Sequence, residues 1–516
     1  MRMKRDIVAA IAAFCLVVTV GAVDAVLKST RYGALFYPGE VAAFTVPPGA
    51  ESWRVVDCDG IERGRGKVSG PELALSEEAI GNRVGAFRLD VTGGGATNSM
   101  WFARLTSCGV RPCPWAGTGT HAHHGWGKGD LRFVDLIAAA GMGWVRDEPL
   151  WENCERTKGG LVMPKTFDAY VDALCAKGIK MNLLLTYGNK CYENPCDPAG
   201  FARFAGFCAA HFKGRVDRFE IWNEPQYFGF AKQYAKENDN AIAWVKPFVS
   251  FTHKADEAIR AANSDAVVNV AVEDQEYLLE MMLANGIARR HNAISFHPYC
   301  HSQHCPERTF FLKDFGMKHR SLAAANGGAN RWCVTEAGWC TYVGTGTYWQ
   351  VAGGYPRASH AGQAACVVRM YLSALAAGCD YACQYDFMDD GSRRDFTEHN
   401  FGLVHQDGTP KPAFAAVAFM TRFLGAAAFG RELSPEPDRF RMMRFRRGDS
   451  ACLVCWAVEG AHTVGVPEPF GSASKGFDFM GNALRPTFTG ERTLTLTERP
   501  IYLMEFHVKN NEQESI

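Results

Sequence analysis

Lys180-Met-Asn-Leu-Leu-Leu-Thr186 and Asp217-Arg-Phe-Glu-Ile-Trp222 are two short, mostly apolar runs, separated by a helix-patterned stretch over 198–213 that Gly214 closes. The runs are too short for helices and alternate too little for strands with one wet face. They read as strands buried on both sides, as in a parallel sheet. A glycine just past a periodic stretch supplies the left-handed residue that ends a helix.

The same unit repeats in both directions. Trp144-Val-Arg146 precedes a helical stretch over 165–177 that ends at Gly178. After Trp222 comes a helix over about 240–262, and Val267-Val-Asn-Val-Ala-Val272 then precedes one over 276–288. Ala293-Ile-Ser-Phe296 precedes a helix over 313–325, and Arg331-Trp-Cys-Val-Thr335 precedes one over 359–377. Asp380-Tyr-Ala-Cys-Gln-Tyr385 is followed by a helix over 412–424. With a first strand near Thr118 and a helix over 131–140, residues 113–425 hold eight strand–helix units. That predicts an α/β fold, a closed (β/α)8 TIM barrel.

The flanks differ. Over 26–112, short runs such as Ala86-Phe-Arg-Leu-Asp-Val91 alternate with Gly, Pro and Asp turns, which predicts an N-terminal β-sandwich-like domain. Residues 426–516 return to short strands, including Phe440-Arg-Met-Met-Arg-Phe445 and Ile501-Tyr-Leu-Met-Glu-Phe506, and predict a C-terminal all-β domain. Residues 1–25 read as an export signal, with three early basic residues, an apolar run from Ile7 to Val23 and small residues before a cut after Ala25. The mature chain is then periplasmic or extracellular, and an uncleaved anchor is the alternative.

Lys plus Arg and Asp plus Glu both number 55, so no basic excess points to nucleic acid or to an anionic membrane surface. Of 18 cysteines, close pairs such as Cys108/Cys113, Cys191/Cys196, Cys300/Cys305 and Cys333/Cys340 are placed for local disulfides after export. Cys175, Cys208 and Cys366 fall on expected helix core faces. Cys452 and Cys455, three apart in a strand, point to opposite faces and do not suit a shared metal.

Catalytic groups of such a barrel sit at the C-terminal strand ends. Two acidic residues stand out there: Glu224, in Phe219-Glu-Ile-Trp-Asn-Glu-Pro225 after the fourth strand, and Glu336, in Trp332-Cys-Val-Thr-Glu-Ala-Gly338 after the seventh. The two strands face each other across the barrel mouth, where two carboxyls can flank one glycosidic bond. At a separation of about 5–5.5 Å, one attacks the anomeric carbon and the other protonates the leaving oxygen. Arg146 and Tyr299 are placed to stabilise a carboxylate at Glu336, and Asn223 to hold a sugar hydroxyl. Glu220, below Glu224 on the same strand face, reads as a buried layer residue.

At these residues the chain resembles clan A glycoside hydrolases, the "4/7" barrel enzymes, and among them family 39 and family 5-type members. The resemblance rests on Trp222-Asn223-Glu224-Pro225, on Thr335-Glu336-Ala337-Gly338-Trp339, on His297-Pro298-Tyr299, and on Trp144-Val-Arg146-Asp-Glu148 with Trp151. It implies a retaining glycosidase with Glu224 as acid/base and Glu336 as nucleophile, usually on β-linked sugars of an oligo- or polysaccharide. It also implies a covalent glycosyl-enzyme intermediate and no metal or other cofactor. Substrate-contacting positions on this reading are Arg146, Asn223, His297, Tyr299, His121, Trp339, Tyr385 and Asp386. Many clan members carry a Trp platform after strand eight, where this chain has Tyr385-Asp386. The sugar therefore stays open. Two other readings remain: a carbohydrate-binding barrel without catalysis, and a metal-dependent hydrolase built from His121, His123, His124, His301 and His304.

Overall fold

The computed structural model describes residues 26–122, 129–227, 229–231, 242–271, 276–300, 305–308, 316–328, 331–343, 358–425, 427–472, 474–484 and 492–505. The expected export signal lies outside the described residues, as do His123, His124, His301 and His304.

Eight parallel strands form a closed barrel: β1 (Cys113–Gly119), β2 (Met142–Asp147), β3 (Lys180–Leu185), β4 (Arg218–Ile221), β5 (Val267–Ala271), β6 (Ala293–Phe296), β7 (Trp332–Ala337) and β8 (Ala382–Gln384). Each pairs with the next, and β8 pairs back onto β1. Helices alternate with the strands, among them Lys165–Ala176, Pro198–His211, Val245–Ala262 and His360–Ala376. The helix starts are written locally. Asp197 accepts from the Gly200 amide and Ser359 from the Gly362 amide, satisfying amides that the first turn leaves free.

The helix Lys165–Ala176 buries Phe167, Tyr170, Val171 and Leu174, a 3.6-period stripe. Cys175 lies one position off that stripe and is exposed, which corrects the expectation of a core face. Cys208 and Cys366 are buried as expected. No disulfide forms among the described residues, so the four close pairs are not bridged. Cys333 shows why spacing misled. It points into the barrel, where Arg218 donates to its sulfur, while Cys340 lies beyond the strand.

The N-terminal region holds a five-stranded and a three-stranded sheet. They close over Phe36, Phe44, Phe87, Leu89 and Phe102. The C-terminal region is a six-stranded antiparallel sheet with a two-stranded ribbon. Its strand Ser450–Ala457 is buried on both faces: Cys452 joins the barrel-side core and Cys455 the domain's own core.

The last helix, Pro412–Leu424, is apolar almost all round because three layers meet on it. It lies on the barrel; Phe419 meets Phe477 and Tyr502 of the C-terminal sheet, and Arg422 donates to Ser107 O on the N-terminal side. The two β-regions also touch each other. Asn482 accepts from the Val84 amide and donates to the Val84 carbonyl, both at 3.0 Å, and Arg83 pairs with Asp478.

A buried ion pair pins the barrel to the C-terminal sheet. Arg369 donates twice to Glu307 at 2.7 Å and once to Val458 O, and Trp456 donates to the same Glu307. Both side chains are almost wholly excluded from water. Arg369→Met leaves Glu307 buried without its counter-charge. It is expected to lower the unfolding free energy by about 3–5 kcal/mol in chemical denaturation. Glu307→Gln/Arg369→Met together should recover part of that loss.

Candidate active site

The site gathers at the C-terminal ends of the strands. Its centre is Arg146, the fifth residue of β2, whose side chain is 5% exposed. Nε donates to Glu220 at 2.8 Å, Nη1 to Glu336 at 2.5 Å, and Nη2 to Asn223 Oδ1 at 2.8 Å. Burial disfavours the guanidinium charge, yet Glu220 and Glu336 outweigh it and push its pKa well above the usual value.

Glu220 is fully buried and takes further hydrogen bonds from Asn182, Ser295 and Thr335. It is thus the fixed counter-ion beneath the site. Glu336, at the end of β7, accepts from Arg146 on one oxygen and from Tyr299 Oη at 2.9 Å on the other. Burial opposes its ionisation. The nearby charges of His297 and Arg146 and the Tyr299 hydrogen bond outweigh that, holding its pKa below the ordinary glutamate value.

Glu224 lies three residues beyond β4. Its Oε1 lies 2.9 Å from His297 Nδ1, and the same nitrogen is 3.6 Å from Glu336 Oε2. One ligating atom each of Glu224, His297 and Glu336 falls within 4.8 Å of the others. Burial disfavours the charged form of His297, but Glu336 and Glu224 raise its pKa. Glu224 is the more open of the two glutamates, with 21% of its side chain exposed against 11% for Glu336.

The backbone at β4's end is strained. Trp222 has φ +70° and Glu224 φ +41°, a region L residues rarely adopt, at about 1–3 kcal/mol each. Trp222 is held there by burial, with Phe201, Phe230, Phe251 and Tyr187 packed edge-on around its ring.

Most of the residues expected to line the site converge. Asn223 bridges Arg146 and Tyr187 Oη, to which it donates at 2.9 Å. Tyr385 packs edge-on against both His121 and Tyr299. Trp339 is 3% exposed and sits in the core, so it presents little surface to a ligand. Tyr187, which accepts from Asn223, and Asn182, which donates to Glu220, join the site without any acidic signal at a strand end.

Beside this centre, loops after β1 and β8 bring together His121, Asp386 and Asp390. His121 Nδ1 lies 2.9 and 3.1 Å from the two Asp390 oxygens. Among the described residues, this triad and Glu224–His297–Glu336 are the groups close enough to hold a metal ion. Burial disfavours the His121 imidazolium, but Asp390 overrides it and raises the pKa to about 10. A histidine pKa raised on folding adds stability that is complete below about pH 6.5, its unfolded value, and is lost as pH rises through the folded value. In chelator-treated protein, NMR should show His121 still protonated at pH 8. Asp390→Asn should bring its titration down by more than one pH unit; an unchanged titration would remove Asp390 as the cause.

No protein-family model matches the sequence, and neither does any curated protein. Solved structures do match. A family 39 glycoside hydrolase from Bacteroides cellulosilyticus WH2 superposes with a TM-score of 0.72 at 20% identity, over 92% of this chain and 99% of that one. A glucosidase from Croceicoccus marinus gives a TM-score of 0.50 at 12% identity, over 72% of this chain and 90% of that one. A conserved exported protein from Bacteroides fragilis gives 0.50 at 11% identity, over 78% of this chain and 99% of that one. The chain therefore shares its whole architecture, barrel and β-regions together, with a glycoside hydrolase.

Proposed function

We propose that this protein is a retaining glycosidase that cleaves β-linked sugars of an oligo- or polysaccharide, with Glu336 as nucleophile and Glu224 as acid/base. The observation that carries the reading is the spacing of the two carboxylates, with oxygens within 4.8 Å of one another across the barrel mouth. Such nearness fits the close carboxyl pair of a retaining enzyme, about 5–5.5 Å, better than the roughly 6.5–9.5 Å of an inverting one.

The surroundings support the division of labour. A nucleophile must be ionised, and Glu336 is the carboxylate that Arg146 and Tyr299 hold in that form. Its attack on the anomeric carbon forms a glycosyl ester as the bond to the leaving oxygen breaks. The group that gives that oxygen its proton must later take one from water, so it needs solvent access, and Glu224 is the more exposed of the pair. Deprotonated Glu224 then removes a proton from a water that attacks the anomeric carbon on the face the leaving group vacated; the ester bond to Glu336 breaks, and the sugar is released with its configuration retained. Arg146 and Asn223, linked at 2.8 Å, are positioned for the ester oxygen and the neighbouring sugar hydroxyl. Export to the periplasm or exterior fits a substrate met outside the cytoplasm. No helix among the described residues is long and apolar enough to cross a membrane.

The reading is tested on aryl β-glycosides of several sugars. Glu336→Ala is expected to abolish turnover, and added azide to restore it as the glycosyl azide of inverted configuration. Glu224→Ala should lose about 10²–10⁴-fold and give the azide of retained configuration. An azide product of the same configuration from both variants would refute the assignment.

Tyr299→Phe removes a hydrogen bond that favours ionised Glu336, so the Glu336 pKa should rise. The acidic limb of kcat/KM should then move up by about one pH unit, with the alkaline limb unmoved. A shift to lower pH, or none, would mean that Glu336 is not the group that must be ionised.

A further inference from the structure

Of the three acids after β8, two are matched. Asp389 takes Lys411 Nζ at 2.6 Å, the Gly402 amide at 2.9 Å and His405 Nδ1 at 3.1 Å. Asp390 pairs with His121. Asp386 is the exception: it is 0% exposed, and among the described residues neither carboxylate oxygen has a hydrogen-bond partner. A carboxyl left so in a protein interior is strongly disfavoured if it is charged and unmatched. Its own loop shows, at Asp389, that the chain can satisfy a buried acid here.

The unmatched group is aimed at other donors. One oxygen of Asp386, one of Asp390 and one ring nitrogen of His121 lie within 4.8 Å of one another. β8 pairs with β1, so the loops carrying these residues leave adjacent strands on the same barrel face. Tyr385 forms one wall of the cluster, packed against His121 at 5.5 Å and Phe401 at 5.4 Å.

We propose that His121, Asp386 and Asp390 form a binding site for one divalent first-row metal ion, beside the catalytic glutamates and separate from them. Two carboxylates and a neutral imidazole balance a +2 charge, and one nitrogen with two oxygens suits Mn²⁺ or Zn²⁺ better than the all-oxygen preference of Ca²⁺ or Mg²⁺. Three protein donors leave coordination positions for water or for hydroxyl oxygens of a sugar. The site lies one aromatic layer from the reaction centre: Tyr385 is 6.3 Å from Tyr299, which donates to Glu336. It goes beyond the double-displacement reading, which requires no ion, and it stands or falls without it.

The test uses the full chain, stripped with chelator and titrated with MnCl₂ by calorimetry and by Mn²⁺ EPR. Manganese is the probe because the many free thiols would take up zinc on their own. The expected result is one ion per chain. Asp386→Asn and Asp390→Asn should weaken binding by at least about tenfold, while Glu224→Gln and Glu336→Gln leave it intact. A thermal melt of each stripped variant checks folding, and either Asp variant alone suffices if the other does not fold. No binding by the wild type overturns the proposal. So does binding that survives both Asp substitutions, or binding that is lost in the Glu variants, which would place the ion on the catalytic pair. No sugar enters the experiment, so its outcome is independent of whether the chain hydrolyses glycosides.

Discussion

One buried guanidinium organises the candidate site. Arg146 cannot lose its charge and has almost no water to solvate it, so the barrel must supply anions around it. Glu220 answers from below, tied down by Asn182, Ser295 and Thr335 from three other strands. Glu336 answers from above. The planar fork fixes directions as well as charge, so its third reach sets the amide of Asn223. A lysine would give a point charge and no such frame. The position of Glu336 is thus set by the demand of a cation that β2 buries.

Glu224 is placed by a different constraint. Trp222 and Glu224 hold positive φ angles that their side chains disfavour. The ring of Trp222, locked among aromatic neighbours, forces the chain to turn there, and Glu224 emerges two residues later towards Glu336. Packing energy below the site is stored as backbone strain within it. Charge places one carboxylate and apolar packing places the other, and both are needed for the pair to meet within 4.8 Å.

Much of this was legible in the sequence, for physical reasons. Barrel strands buried on both faces read as apolar runs, and their ends name Glu224, Glu336 and Arg146. Other features left no pattern. The strand Glu62–Lys67 is Glu-Arg-Gly-Arg-Gly-Lys, which resembles a loop. It is an edge strand whose Gly66 lies so close to the ring of Trp53 that an added Cβ would sit 2.7 Å from the indole nitrogen. Cys175 missed the core by one step of a helical period. The pairing of His121 with Asp390 joins residues 269 apart, and only barrel closure brings them together. Cysteine spacing failed because nearness in sequence says nothing about which way a strand residue points, as Cys333 shows.

The clasp between Val84 and Asn482 ties positions 398 residues apart, with the whole barrel lying between them in the chain. A contact of that separation is among the last a growing or refolding chain can make, since the intervening loop must first be condensed. The N-terminal sandwich has its own core and can form early, yet its docking surface stays bare until the final sheet is in place. Docking of the last sheet onto the first is therefore a late step of folding that depends on the barrel having condensed between them.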